Sequence, residues 1–218
     1  MARLLPDEVD DYLTGLAGIG LTDPVLEEME ARAREHRFPI VGRAVGRHLE
    51  LQARAVGARR VMELGSGYGY SAYFFARAVG EDGEVVCTDG DPDNAARAEG
   101  YLRRAGLWDR VDYHVGDALT SFAGVEGEFD VVYCDVDKDG YPDAWEAARD
   151  RVRVGGLWIC DNTLWGGRVA GVPAEPDEFR DRVTPDIVAM TRAVAEDERY
   201  VSSLVPLRDG VLVALRVA

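Results

Sequence analysis

The pattern of apolar and polar residues changes character near residue 58. Before that point, apolar residues recur at helical spacing, with polar residues filling the positions between them. The third such segment shows this most clearly, because Val41, Val45, Leu49 and Val56 fall on one face. The pattern predicts three amphipathic helices, over residues 7–17, 24–35 and 41–56.

From Arg60 onward, short apolar runs alternate with amphipathic segments. The runs predict strands over residues 60–64, 84–88, 110–114, 129–135 and 155–161. The segments between and after them predict helices over residues 70–79, 92–106, 118–123, 141–152 and 185–197. Alternation with short connections is typical of a parallel, doubly wound sheet with helices on both faces.

The end of the chain departs from this alternation. Two apolar runs, over residues 200–205 and 210–216, are joined by Leu207-Arg208-Asp209-Gly210, which is typical of a hairpin turn. We therefore predict an α/β fold with a Rossmann-like sheet of seven strands and an antiparallel C-terminal pair. The length of 218 residues fits one domain, with residues 1–57 as a helical cover and 58–218 as the core.

Composition and charge exclude several classes of partner. A net charge of −15 disfavours binding to nucleic acid or to an anionic membrane. There is no apolar run of membrane-spanning length and no secretory signal at the start, so we expect a cytoplasmic protein. Cys87, Cys134 and Cys160 fall on separate predicted strands without metal-site spacing, which predicts buried core residues in a reducing compartment.

A glycine-rich loop follows the first predicted strand, in the stretch Glu63-Leu-Gly-Ser-Gly-Tyr-Gly-Tyr-Ser71. Glycines at a strand-to-helix turn let a ligand approach the backbone at the positive end of a helix. The spacing differs from the dinucleotide fingerprint, because its sixth position is Tyr70. Glu63 also disfavours a pyrophosphate and suits a cationic cofactor. The loop resembles the first motif of class I S-adenosylmethionine (SAM) methyltransferases.

The next two strand ends carry further candidate contacts to a cofactor. Asp89 follows the second strand at a spacing that suits hydrogen bonds to both ribose hydroxyls, although it could also be a simple turn acid. Asp117 and Ala118 follow the third strand, where a small residue would let adenine lie against the backbone. This second signal is weak, because Gly-Asp-Ala is common in turns.

The fourth and fifth strand ends carry two acids and an amide. In a parallel sheet, Asp135, Asp161 and the Asn162 side chain would converge at one edge. Three oxygen ligands suit a hard divalent cation, with Mg²⁺ first and Mn²⁺ or Ca²⁺ as alternatives. Paired acids at strand ends are more often caps, so spacing alone leaves both interpretations open.

The motifs together resemble the cation-dependent O-methyltransferases, the family of the catechol and caffeoyl-CoA enzymes. Four stretches occur in the family's order: Glu63 to Ser71, Gly116 to Ala118, Asp135 to Lys138 with Tyr141, and Asp161 to Val169. The turn from Pro206 to Gly210 matches as well. Val136 departs mildly from the family's usual alanine, and residues 173–184 match no family pattern.

The resemblance implies a chemistry and a set of residues. It implies methyl transfer from SAM to a hydroxyl of a catechol-like or other phenolic small molecule, dependent on a divalent cation, in a homodimer. It implies Lys138 as the catalytic base and Asp135, Asp161 and Asn162 as metal ligands. The implied contacts to the cofactor are Glu63, Gly65, Ser66, Gly67, Ser71, Asp89, Asp117, Ala118 and Asp135.

Two other functions remain possible from the sequence. One is a non-catalytic SAM-binding protein, against which the intact set of acids, amide and lysine argues. The other is a methyltransferase for a non-phenolic acceptor, including nucleic acid or protein, against which the negative charge argues. The acceptor itself cannot be identified from the sequence. Trp165 is expected either to wall the acceptor pocket or to pack in the core.

Overall fold

The computed structural model describes residues 5–218 and contains a seven-stranded sheet in the order β3-β2-β1-β4-β5-β7-β6. The strands are β1 Arg60–Leu64, β2 Glu84–Asp89, β3 Val111–Val115, β4 Phe129–Cys134, β5 Val152–Cys160, β6 Tyr200–Val205 and β7 Val211–Arg216. The helices are α1 Asp7–Gly18, α2 Pro24–His36, α3 Gly42–Ala55, α4 Tyr70–Val79, α5 Pro92–Arg104, α6 Ala118–Gly124, α7 Tyr141–Ala148 and α8 Glu178–Glu196.

The register of the sheet brings the candidate residues to one edge. Strands β1 to β5 are mutually parallel, while β7 runs antiparallel to both β5 and β6. Leu64 pairs with Thr88 on one side and with Cys134 on the other, and Cys134 pairs with Cys160. The residues that follow these strand ends therefore meet between β1 and β4, where the direction of winding reverses. The predicted fold is confirmed.

Strand residues alternate between two apolar layers, one on each face of the sheet. Val61 and Tyr133 pack with α2 to α5, whereas Met62 and Trp158 pack with α7 and α8 on the opposite face. This alternation is what a sheet covered on both sides requires. The three cysteines are free and buried, as predicted. None of the helices in residues 5–218 is long and apolar enough to cross a membrane.

The first helices are attached to the helix that follows the glycine loop. Tyr73 on α4 donates a hydrogen bond to the carboxylate of Asp23, the N-cap of α2, at 2.7 Å. Gly46 lies so close to α4 that a Cβ there would be 2.3 Å from the Phe74 ring. This packing brings residues 38–41, between α2 and α3, over the sheet edge.

Three boundaries differ from the sequence prediction by three residues or more, and one of them is the end of α7, which lies at Ala148 instead of residue 152. Helix α8 begins at Glu178 instead of residue 185, because Asp177 caps it and Pro185 is accommodated inside it. The proline removes one backbone donor, and the neighbouring Thr184 hydroxyl donates to the Arg180 carbonyl at 2.7 Å. Strand β5 begins at Val152 instead of 155, because an irregularity opposite β4 absorbs the two glycines in its middle.

Candidate active site

A cavity of about 410 Å³ opens at the carboxyl ends of β1, β2, β4 and β5. Most of the residues predicted from the sequence line it: Gly65, Ser66, Gly67, Ser71, Asp89, Asp135, Lys138, Asp161 and Asn162. Distant segments complete the wall with residues 38–41, Trp165, Phe179 and Arg208. The sequence carried no local signal for Phe38, Phe179 or Arg208 as site residues, because only the tertiary fold brings them here.

The glycine loop is held tightly between its neighbouring strands. Gly65 has a φ of +88°, and a Cβ on it would be 2.5 Å from the Asp135 carbonyl oxygen. The Ser66 backbone N–H donates to the Thr88 carbonyl at 2.7 Å. Gly69, with a φ of +85°, is the N-cap of α4. Only glycine fits at position 65, so the loop keeps a fixed, open backbone facing the cavity.

Glu63 lies beneath this loop and is fully buried. Burial raises its pKa to about 7, although the neighbouring side chains of Ser71, Ser66 and Cys87 act in the opposite direction. Its Oε1 atom has no hydrogen-bond partner among the described residues. A buried carboxylate with an unpaired oxygen is stabilised by a cationic neighbour.

Asp89 is fixed in place by three donors. Its carboxylate accepts from the backbone N–H of Gly67 at 3.0 Å and of Asp91 at 2.9 Å. The Asn94 amide donates to it at 3.1 Å. Sequence reasoning missed Asn94, which is 8% exposed and whose only signal was a polar residue on the buried side of α5. These contacts link the glycine loop to the end of β2.

Asp117 and Ala118 lie away from the residues that line the cavity. Asp117 is exposed and caps α6, since its carboxylate accepts from the Thr120 backbone N–H at 2.7 Å. Ala118 packs against the apolar layer beneath the sheet. Their contact with the adenine end of a cofactor stays a prediction.

The two acids and the amide of the predicted metal site converge as the topology requires. Asp161 is 4% exposed, and the Asn162 side-chain nitrogen lies 3.4 Å from its Oδ2 atom. Asn162 adopts a φ of +54°, a conformation that asparagine tolerates better than most residues. Burial and then the charge of Asp135 raise the pKa of Asp161 to about 7. The site is therefore rich in oxygen atoms and short of positive charge.

Lys138 reaches back to the first of these acids. Its Nζ atom lies 2.8 Å from Asp135 Oδ1 and 3.1 Å from the Val136 carbonyl oxygen, and 5.0 Å from the centre of the Tyr141 ring. Burial lowers the pKa of Lys138, but the charge of Asp135 and its hydrogen bond outweigh burial, so the pKa is raised overall. In this arrangement the ammonium form is favoured.

Trp165 packs in the core, as one sequence interpretation expected, and it also lines the cavity, while its contact with an acceptor stays a prediction. It is 5% exposed, packs in the apolar layer with α8, and also lines the cavity. Its ring nitrogen donates to the Arg180 carbonyl at 3.2 Å, which fixes the ring against the start of α8.

Comparison with known proteins assigns the family. Residues 21–217 match the model of a family described as O-methyltransferase. Caffeoyl-CoA O-methyltransferase 1 of Eucalyptus globulus is 30% identical over 204 residues, which cover 90% of this chain and 82% of the relative. Caffeoyl-CoA O-methyltransferase of Pinus taeda is 34% identical over 179 residues, covering 79% of this chain and 69% of the relative.

A solved structure gives the same assignment. The O-methyltransferase TomG of Streptomyces achromogenes, determined in complex with SAM, aligns with a TM-score of 0.83 and 28% identity. The alignment covers 97% of this chain and 96% of that one. The resemblance seen in the sequence motifs is confirmed. The chain belongs to the O-methyltransferase family and is a SAM-dependent enzyme of the class I group whose cation-dependent members its motifs resemble.

Proposed function

We propose that the chain methylates a hydroxyl of a catechol-like or other phenolic small molecule and requires a divalent cation, Mg²⁺ in the first place. One observation carries this proposal. A single cavity is lined by the glycine loop, by Asp135, Asp161 and Asn162, and by the partly buried Lys138. A SAM-binding protein without catalysis would need only the first of these parts.

The donor set fits a hard divalent cation. Two carboxylates and a side-chain amide supply oxygen ligands. Asp161 is held near Asp135 although its burial and the negative charge of Asp135 both disfavour the ionised form of Asp161. Among residues 5–218 no three His, Cys, Asp or Glu side chains group as a metal site, and we propose the side-chain oxygen of Asn162 as the third ligand. A bound cation would supply Lewis-acid stabilisation of the phenolate oxygen.

Lys138 is the proposed base. A phenol with a pKa near 10 costs roughly 4 kcal/mol to ionise at pH 7, so its proton needs an acceptor within the site. Lys138 is 12% exposed, lines the cavity and is held by Asp135 in one position. It can accept the proton only after losing its own, for which its ion pair with Asp135 must weaken.

The glycine loop, Glu63 and Asp89 are proposed to hold SAM. The unpaired oxygen of buried Glu63 supports a cationic neighbour, and the fixed carboxylate of Asp89 at the end of β2 supports a partner with hydroxyl groups. Ser66 on the loop and Ser71 in the first turn of α4 both line the cavity. Methyl transfer requires donor and acceptor to be held in contact and in line, which a rigid loop beside the acids provides.

The test is a turnover assay with catechol and SAM. Excess EDTA is expected to abolish methylation, and Mg²⁺ or Mn²⁺ to restore it. Asp161→Ala should lose both turnover and Mn²⁺ binding in a calorimetric titration, while its SAM affinity stays within about threefold of wild type.

Asp89→Ala is the matched control, an aspartate at another strand end of the same cavity. It should weaken SAM binding, because hydrogen bonds to charged groups contribute about 1.5–3 kcal/mol, and leave Mn²⁺ affinity nearly unchanged. Full activity in excess EDTA would refute the metal requirement. If the metal-loaded enzyme methylates no catechol, the phenolic acceptor is refuted.

A further inference from the structure

One side chain of the third strand holds the glycine loop. Tyr113 lies in the middle of β3, and its hydroxyl donates a hydrogen bond to the Gly67 carbonyl at 2.5 Å. In the register of the sheet, Tyr113 is opposite Cys87, which in turn is opposite Glu63. The side chain therefore reaches across β2 to the loop that follows β1. Its ring packs in the apolar layer with α2 to α5, outside the set of residues that line the cavity.

Gly67 is hydrogen-bonded through both of its backbone groups. Its carbonyl accepts from Tyr113, and its N–H donates to the Asp89 carboxylate at 3.0 Å. Among residues 5–218, no other donor reaches the carbonyl oxygen of Gly67. Gly67 has a φ of +50°, and a Cβ on it would lie 3.1 Å from the Phe38 ring. Asp89 and Tyr113, from two different strands, therefore fix the orientation of a glycine that has no side chain of its own to anchor it.

The two oxygens of the Asp89 carboxylate are held differently. Oδ1 accepts from the backbone N–H of Asp91 at 2.9 Å and from the Asn94 amide at 3.1 Å. In the part of the chain that the structure describes, Oδ2 accepts from the Gly67 N–H alone. The orientation of this second oxygen therefore depends on the orientation of Gly67.

The Tyr113 hydroxyl is a permanent donor in this arrangement. Burial, and then the negative charge of Asp89, raise the pKa of Tyr113, so its proton is retained at any ordinary pH. Without this donor the Gly67 carbonyl would lose its partner, and the N–H of the same residue could turn away from Asp89. The hydrogen bond from β3 thus stabilises a contact between the loop and the end of β2.

We propose that Tyr113 is a positioning residue for SAM. Through Gly67, its hydroxyl keeps the Asp89 carboxylate in the orientation that binds the ribose hydroxyls of the cofactor. This inference rests on the proposed function, which assigns Asp89 to SAM. Tyr113 itself does not touch the cofactor, so its effect on binding has to pass through the glycine loop.

Tyr113→Phe tests the hydroxyl alone, because phenylalanine keeps the ring and its packing. SAM affinity in a calorimetric titration should fall by about three- to tenfold, as expected for the loss of one hydrogen bond. The KM for SAM should rise by a similar factor. At saturating SAM, kcat should stay within about twofold of the wild type, because the acids and the lysine proposed for the reaction follow other strands.

Tyr200→Phe is the matched control. Tyr200 on β6 also donates its hydroxyl to a backbone carbonyl, that of Arg149, at 2.6 Å, and it lies outside the cavity wall. Both variants should be less stable in urea than the wild type, but Tyr200→Phe should keep the wild-type affinity for SAM. If Tyr113→Phe also keeps that affinity, the role of Tyr113 is only structural and the inference is overturned.

A double variant tests whether Tyr113 acts through Asp89. Residues that act as one unit have effects on binding that do not add. In an Asp89→Ala background, Tyr113→Phe should weaken SAM binding by less than about twofold, because the carboxylate that it orients is absent. An equal loss in both backgrounds would show that Tyr113 acts independently of Asp89 and would overturn the inference.

The SAM titrations keep this result apart from the proposed function. If Tyr113→Phe weakens SAM binding as expected while no catechol is methylated, the inference is supported and the proposed acceptor is rejected. If Asp89→Ala weakens SAM binding and Tyr113→Phe does not, the inference alone fails. If Asp89→Ala binds SAM as tightly as the wild type, the assignment of Asp89 in the proposed function fails, and the inference fails with it.

Discussion

Lys138 is the only lysine of the chain, and its environment opposes the loss of a proton that a base requires. The side chain is partly buried, is ion-paired with Asp135 at 2.8 Å, and has a raised pKa. Burial alone would lower the pKa of Lys138, so the ion pair decides its charge state. Any cationic group that binds Asp135 would weaken its ion pair with Lys138. The basicity of Lys138 therefore depends on which group is bound at the neighbouring carboxylates.

Lys138→Arg tests whether this residue moves a proton or only supplies charge. Arginine keeps the positive charge and can pair with Asp135, but it cannot act as a base, because its pKa is above 12. We expect kcat to fall by about 10² to 10⁴, nearly as far as in Lys138→Ala, with SAM affinity preserved in a calorimetric titration. An arginine variant that recovers most of the rate would show that the role is electrostatic.

At the scale of elements, the turn between β6 and β7 holds the loop that follows β5. The backbone N–H groups of Thr163 and Leu164 donate to the carbonyls of Gly210 and Asp209, at 3.0 and 2.8 Å. The Asp209 carboxylate accepts from the Gly166 backbone N–H, and a Cβ on Gly210 would be 2.7 Å from the Leu164 nitrogen. The turn therefore fixes the segment that directly follows Asp161 and Asn162.

Asp209→Ala should loosen the proposed metal site without removing a ligand. It leaves a buried N–H group unpaired, which costs about 1–3 kcal/mol, and it frees the loop after Asp161. We expect Mn²⁺ affinity, followed by calorimetry, to fall by about tenfold. Asp209→Asn keeps the accepting oxygen and should retain most of the affinity.

Asp197→Ala is the matched control, because Asp197 caps the turn at the opposite end of β6 and accepts from the Arg199 backbone N–H at 3.0 Å. It should reduce stability to urea without changing Mn²⁺ binding. Equal Mn²⁺ affinity in Asp209→Ala and the wild type would mean that the loop keeps its shape without this contact.

The elements also show which features a sequence can reveal. The glycine loop and the acids after β4 and β5 were predictable, because a parallel sheet brings successive strand ends to one edge. The start of α8 was not, since Pro185 is typical of a first turn and only the packed structure shows that it lies inside the helix. Arg208 and Phe38 were not predictable as site residues for a related reason. Their position in the wall of the cavity depends on contacts between segments far apart in the chain.

For the whole molecule, the burial of acids beneath the sheet edge couples the site to folding. Glu63 is fully buried and Asp161 is 4% exposed, and both have a pKa raised to about 7. Such positions are unfavourable for folding alone, because buried apolar residues would carry no penalty for desolvated charge. Their presence at the strand ends is consistent with selection for ligand binding at the expense of stability.

The stability of the cofactor-free protein should therefore fall between pH 5 and pH 8. Unfolded Glu63 releases its proton near pH 4.5, whereas the folded form keeps it until about pH 7, so the folded state binds more protons in this window. The stabilisation from Glu63 is complete below pH 4.5 and lost by pH 8, a change of about 3 kcal/mol. Asp161 acts in the same sense, and His48, whose pKa burial lowers, acts in the opposite sense near pH 6.5.

Glu63→Gln isolates this contribution, because glutamine has nearly the same shape and does not titrate. Between pH 5 and pH 8, the free energy of unfolding of the wild type in urea should fall by about 3 kcal/mol relative to that of Glu63→Gln. The contributions of Asp161 and His48 cancel in this difference. SAM at saturation should reduce this gap, since a cationic ligand favours the ionised carboxylate that the bare protein disfavours. If the two proteins show parallel pH profiles of stability, then Glu63 titrates normally and its burial does not make stability depend on pH.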